Sequence, residues 1–190
     1  MCAPDLRGTP MLRQRFGAAQ PLDDYIRTTV ANHDLWEAIA KRVAVPDALV
    51  ERVRALGGHW HLLVLSEDWC GDAVNSVPVI GKLAELAGNV DLRVLGRDAN
   101  PDLMNSHLTN ESRSIPVVIA LDDQFVEHGW WGPRPRALQE WVMSTGKTME
   151  KDDRYREVRR WYARDRGLTT LEEIVRLLES AARSTVRASA

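Results

Sequence analysis

Long apolar runs, cysteine pairs and an excess of either charge are all missing from this chain, and each absence removes a class of explanation. No run approaches the length of a membrane span, and the N-terminal MCAPDLRGTPMLRQRFG lacks the apolar core of a secretion signal. A cytoplasmic protein without a membrane partner is therefore expected. A formal charge of −2 over 190 residues gives no global electrostatic reason for a nucleic-acid or anionic-membrane partner. Only Cys2 and Cys70 carry thiols, and Cys2 lies in a start punctuated by Pro and Gly, which argues against a disulfide framework. No internal repeat or low-complexity linker divides the chain. Its 44% hydrophobic content suits one sizeable domain with appendages.

What is present centres on LLVLSEDWCGDAVNSVP, residues 62–78. Residues 59–65 form a short apolar run between Gly57-Gly58 and Ser66-Glu67-Asp68, as a strand buried on both faces would. From Val74, apolar residues recur at Val77, Ile80, Leu83, Ala84 and Ala87, an amphipathic helix that places Cys70 at its first turn. A thiol there meets unpaired backbone N–H groups and the positive end of the helix dipole. A surface thiolate with raised reactivity is the expected consequence, in preference to a small buried hydrophobe. Asp72 opposes that effect, since its charge disfavours a neighbouring thiolate.

These residues resemble a known family. Trp69-Cys70-Gly71-Asp72-Ala73 after a buried strand looks like the W-C-G-x-C motif of the thioredoxin superfamily, in the branch that writes W-C-G-D-C, with Ala73 in place of the second cysteine. Pro78 matches the proline eight residues beyond the first cysteine, Asp98-Ala99-Asn100-Pro101 resembles the family's D-x-N-P segment, and Arg113-Ser114-Ile115-Pro116 resembles its R-G-I-P loop. The resemblance implies a cis peptide at Ile115-Pro116, a Trp69 wall beside the thiol, and a groove shaped by Ile115 and Pro116. It also implies a mixed four-stranded sheet with flanking helices. Val64 stands where many members carry a buried acid that assists the second thiol, so two family features are lost together and dithiol chemistry is not implied.

Around this core the organisation reads in order. Residues 1–20 are expected to be a disordered tail. Residues 21–58 form a helical extension, with Leu22, Tyr25, Ile26 and Val30 on one face, Asn32 as an N-cap, and Leu35, Trp36, Ile39 and Val43 inward. The thioredoxin-like core spans 59–146, including a hairpin from Val117 to Trp131. Residues 147–190 form a C-terminal helical extension packed on it, where Thr170-Leu171-Glu172-Glu173 reads as a capping box. Eight basic and five acidic residues interleave over 147–166, which reads as a solvated face. His59 and His61 project from one strand face, but no third ligand accompanies them, so neither a metal nor another cofactor is expected. Of Trp130 and Trp131, one is expected in the core and the other partly exposed.

Two functions are consistent with this reading. In the first, Cys70 attacks a protein disulfide or an oxidised low-molecular-weight thiol, and an external thiol releases the mixed disulfide. In the second, the chain is a binding or adaptor module in which Cys70 has no redox turnover. A thiol protonated at pH 7 and slow to alkylate favours the second. Substrate and oligomeric state are not encoded in any motif.

Overall fold

The computed structural model describes residues 9–188, so Cys2 and the first part of the expected tail lie outside the described residues. The element order is α1 (Thr9–Ala18), β1 (Gln20–Pro21), α2 (Leu22–Thr28), α3 (His33–Arg42), α4 (Asp47–Arg54), β2 (Trp60–Ser66), α5 (Gly71–Ala87), β3 (Val90–Gly96), α6 (Pro101–Asn105), β4 (Val117–Leu121), β5 (Glu127–Trp131), α7 (Arg136–Met143), α8 (Lys151–Asp165) and α9 (Leu168–Ala188). The expected run of strand, helix, strand, helix, hairpin and helix is present from β2 to α7. The five strands make one mixed sheet in the order β1-β3-β2-β4-β5. β2 runs parallel to β3 and antiparallel to β4, and β4 and β5 form the hairpin.

Register assigns the two faces. Val64 pairs Val118 and Val118 pairs Trp131, so these share one face, while His61, Leu63, Ile119 and Trp130 share the other. α9 covers the first face, where Trp131 Nε1 donates to Glu173 at 2.6 Å. α4 and α5 pack beside α9. α1 covers the second face, placing Phe16 4.7 Å from the His61 ring and 5.5 Å from Phe125. His107, just past α6, lies 5.8 Å from the Trp130 ring on that same face. Both faces of β2 are thereby buried, as its unbroken apolar run demands.

Residues 9–21 correct the expected tail and the expected strand count. Leu12, Phe16 and Ala19 fall at helical spacing and are buried. Pro10 sits in the first turn of α1, where its missing N–H is no loss. Arg15 then ties α1 to α6 through the Asn100 side chain and Asp102, the latter at 2.7 Å. β1 adds a fifth strand at the sheet edge, with Gln20 opposite Val94 and Pro21 opposite Arg93, an edge position that a proline tolerates.

Three smaller expectations are also corrected. Val30 is 88% exposed because α2 ends before it, and Leu35 is exposed as well. Asn32 precedes α3 in a left-handed conformation and makes no side-chain cap; its amide donates to the Asp68 carbonyl at 3.1 Å. Thr170 lies inside α9 with an unpartnered hydroxyl, and Glu173 reaches away to Trp131 and the Arg136 N–H instead of closing a capping box. His61 stacks on Phe125 at 4.3 Å with an 11° interplanar angle, while His59 is exposed just before β2 with its ring 5.0 Å from that of His61; burial, then the neighbouring His59, pushes the His61 pKa down.

Candidate active site

Cys70 is the residue before α5, and its carbonyl accepts the Val74 N–H at 3.0 Å to start the helix. The preceding strand and the helix are joined by a tight turn, with the Cys70 N–H donating to Glu67 O at 3.1 Å. α5 continues through the internal Pro78 and ends at Gly88, whose left-handed φ of 76° lets its N–H close on Ala84 O at 3.0 Å. Across the turn, the Ile115–Pro116 peptide is cis, and the Cys70 thiol donates to the Ile115 carbonyl at 3.4 Å. The next loop presses against that segment. A Cβ on Gly132, at φ 133°, would lie 2.0 Å from Pro116 O, so no other residue fits there without moving the backbone.

The sulfur is not at a surface. Cys70 is only 8% exposed, which corrects the expectation of an accessible, activated thiolate. Its thiol pKa is pushed up to about 11, first by burial and next by the Asp72 charge. The anticipated helix-start effect is real but smaller: the N–H groups of Ala73 and Asp72, and Arg134 at longer range, pull in the opposite direction. Desolvation outweighs it because the thiol is enclosed by the turn and the Ile115 segment.

Asp72 has partners that sequence reasoning missed. Its carboxylate accepts Arg134 Nε at 3.0 Å together with the Arg134 Nη2, and Tyr162 Oη donates to it at 2.9 Å. Arg134 Nη1 also reaches Gln139 Oε1 at 2.7 Å. The side chains of Asp72 and Arg134 are only 13% and 19% exposed, and Tyr162 is buried. The Tyr162 pKa is raised well above its ordinary value by burial and by the Asp72 charge. Arg134 stands between Pro133 and Pro135, an arginine held in a stiff loop, which is the clue the sequence offers; Tyr162, 90 residues beyond Asp72, offers none.

The remaining motif residues separate. Trp69 is 51% exposed, with the Arg97 guanidinium 5.0 Å from its ring centroid. Gly71 opens α5 in free space, so nothing there excludes a side chain. Ala73 is fully buried, and Val64 is buried between Val94 and Val118. Trp69, Cys70, Gly71, Asp72 and Ile115 line one large cleft of about 1710 Å³, whose far wall is α8 and the start of α9; Ala73 and Pro116 lie behind it. Among the described residues, no group of three or more His, Cys, Asp or Glu is placed to hold a metal ion.

Replacing Asp72 with asparagine is expected to lower the Cys70 pKa, because it removes the nearby negative charge and leaves Arg134 uncompensated. Alkylation rate against pH measures this. An unmoved or raised profile means that the carboxylate acts on the sulfur mainly through hydrogen bonds.

A family model described as thioredoxin matches residues 19–156 of the chain. No curated protein matches. Among solved structures, a protein of unknown function from Pseudomonas aeruginosa superposes with a TM-score of 0.71 at 20% identity, covering 89% of this chain and 97% of that one. An HIV epitope scaffold superposes with a TM-score of 0.71 at 19% identity, covering 88% and 96%. At these identities the likeness is one of fold.

Proposed function

The chain belongs to the thioredoxin family, and from that premise we propose that it is a single-thiol protein that forms mixed disulfides through Cys70. The carrying observation is position: the sulfur sits at the start of α5 against the Ile115 carbonyl, at the floor of a cleft large enough for a polypeptide, with alanine at the second-thiol position. The Cys70 thiolate attacks one sulfur of a partner disulfide, the S–S bond breaks, and the other sulfur leaves as a thiolate that takes up a proton. A low-molecular-weight thiol then attacks the mixed disulfide and regenerates Cys70, becoming oxidised in its place.

The raised pKa slows this step without abolishing it. A thiol pKa of about 11 leaves less thiolate at pH 7 than an ordinary cysteine has, while the more basic thiolate is intrinsically more nucleophilic and offsets part of that loss. Exchange is therefore slower than for a free cysteine. The same burial is the specific observation that favours the second reading, a thioredoxin-fold binding module without turnover.

Alkylation of Cys70 is expected to rise about tenfold per pH unit up to about pH 11 under either reading. What separates them is mass spectrometry of protein purified without reductant, which is expected to find thiol-linked partners on Cys70. A Cys70 free of adducts, and inert toward an activated disulfide, overturns the exchange reading and leaves the binding module.

A further inference from the structure

We propose that the cleft over Cys70 receives an acidic polypeptide segment bearing apolar side chains, supplied by the partner whose disulfide is exchanged; the identity of that segment as the exchange partner rests on the reading above, its docking does not. The observation behind it is a segregation of charge. The molecule carries a formal charge of −2, yet every charged residue on the cleft wall other than Asp72 and Asp165 is basic. Only Asp72 is neutralised by a cation, so among the described residues Asp165 is the one negative charge on the wall set against its unpaired basic residues. Asp72 is held by Arg134 and Tyr162, and Asp165 accepts the Thr169 N–H and hydroxyl at the junction of α8 and α9.

The interleaved signs along α8 sort themselves onto separate faces. Arg156 pairs with Asp153 at 2.7 Å and Arg160 with Glu157 at 2.5 Å, and none of these four lines the cleft. Arg159, Arg164 and Arg166 do line it, and they form no ion pair among the described residues; the same holds for Arg42 and Lys147 on the flanking walls. The expected solvated face is thus a basic wall directed at the thiol's cleft. Unpaired exposed cations facing one concavity create a local potential that a net charge near zero conceals.

The rest of the wall selects the kind of anion. Leu35, Trp69, Tyr155 and Leu168, among the few large apolar residues left exposed in the molecule, all border the same cleft. A cleft of about 1710 Å³ exceeds the roughly 300–1,000 Å³ of a small-molecule pocket. A small acidic thiol would leave most of it empty. A nucleic acid is less well matched, because Arg97 already covers the exposed Trp69 ring, Lys151 and Arg154 stand 6.0 and 5.8 Å from the Tyr155 ring centroid, and aliphatic Leu35 and Leu168 offer no stacking surface. An acidic segment with interspersed apolar side chains meets both requirements.

The test uses the full chain carrying Cys70→Ser, so that binding is read without covalent capture. Fluorescence anisotropy compares length-matched labelled peptides, one of Glu, Leu and Ser and one of Lys, Leu and Ser, with a single-stranded RNA of equal charge to the first. The acidic peptide is expected to bind and weaken with added salt, and the Lys peptide is expected not to bind. Arg159→Glu with Arg164→Glu, both exposed on α8, should weaken acidic-peptide binding about tenfold without changing the melting temperature. Equal binding of the two peptides, indifference to the charge reversals, or tighter binding of the RNA overturns the proposal. In wild type, the same peptides carrying an activated cysteine report on exchange separately. Non-covalent docking with no adduct would sink the exchange chemistry and keep the acidic-segment site; adduct formation without an acidic preference would do the reverse.

Discussion

Replacing Ala73 with cysteine is expected to give the chain an intramolecular disulfide with Cys70 and a protein-disulfide reductase activity that wild type lacks. The physical reason is the fate of the mixed disulfide. An external thiol at millimolar concentration must find it by diffusion, whereas a second thiol one helical turn away acts at an effective concentration that for well-oriented pairs reaches about 10⁵ M or more. Cys70 caps α5 and Ala73 lies three residues on in its first turn, a spacing at which side chains are neighbours on a helix. Ala73 is fully buried, however, and an added sulfur in a filled site costs about 1–3 kcal/mol. The melting temperature should therefore drop by several degrees in the reduced variant. Val64 leaves the new thiol without a neighbouring acid to deprotonate it, so turnover should stay below that of a dithiol relative.

Thiol counting of the oxidised variant, an insulin-reduction assay and wild type as the reference check this. A folded variant that forms no bridge means the side chains at 70 and 73 diverge. A wild type that turns over as fast as the variant means that Cys2 or a partner supplies the second thiol.

Arg134→Met is expected to be the most destabilising single substitution near the site. It removes the guanidinium that makes two hydrogen bonds to Asp72 and leaves a largely buried carboxylate held only by the Tyr162 hydroxyl. Breaking a buried pair from one side costs about 3–5 kcal/mol, equivalent to a fall of roughly 6–20 °C in melting temperature for a chain of this size. Adding Asp72→Leu to that variant should recover most of the loss, because no uncompensated charge then remains. The single variant should also alkylate more slowly at Cys70, since Asp72 then acts on the thiol without its counter-charge. If the single and double variants melt at the same temperature, the ion pair is not what holds this corner together.

The contrast between what could and could not be read from the sequence follows from range. The strand from Trp60, the helix after Cys70 and the strand over Val117–Leu121 are local patterns of apolar periodicity, and the structure places them within a residue or two of expectation. α1 was hidden because its buried residues are sparse and flanked by Pro10 and Gly17; only packing on His61 and Phe125 gives it a face. Burial of the thiol depends on Ile115, 45 residues away, and the state of Asp72 on Arg134 and Tyr162, 62 and 90 residues away. No spacing rule within the motif carries those distances. The same holds for the basic wall, since interleaved charges reveal their faces only when the helix is docked.

The aspartates two residues to either side of Cys70 are moored to opposite ends of the chain. Asp68 takes the N–H groups of Val30 and Ala31 on its carboxylate at 2.8 and 2.9 Å and the Trp36 indole on its carbonyl at 3.0 Å, while Asp72 takes Tyr162. The flanking helices are therefore not detachable cassettes, and trimming the protein to residues 59–146 would strip both moorings at once. Grafting the core onto a different helical setting would require new partners for both aspartates beside the thiol. The motif and the extensions are mechanically one unit, and a change in either flanking helical region is a change to the environment of the sulfur.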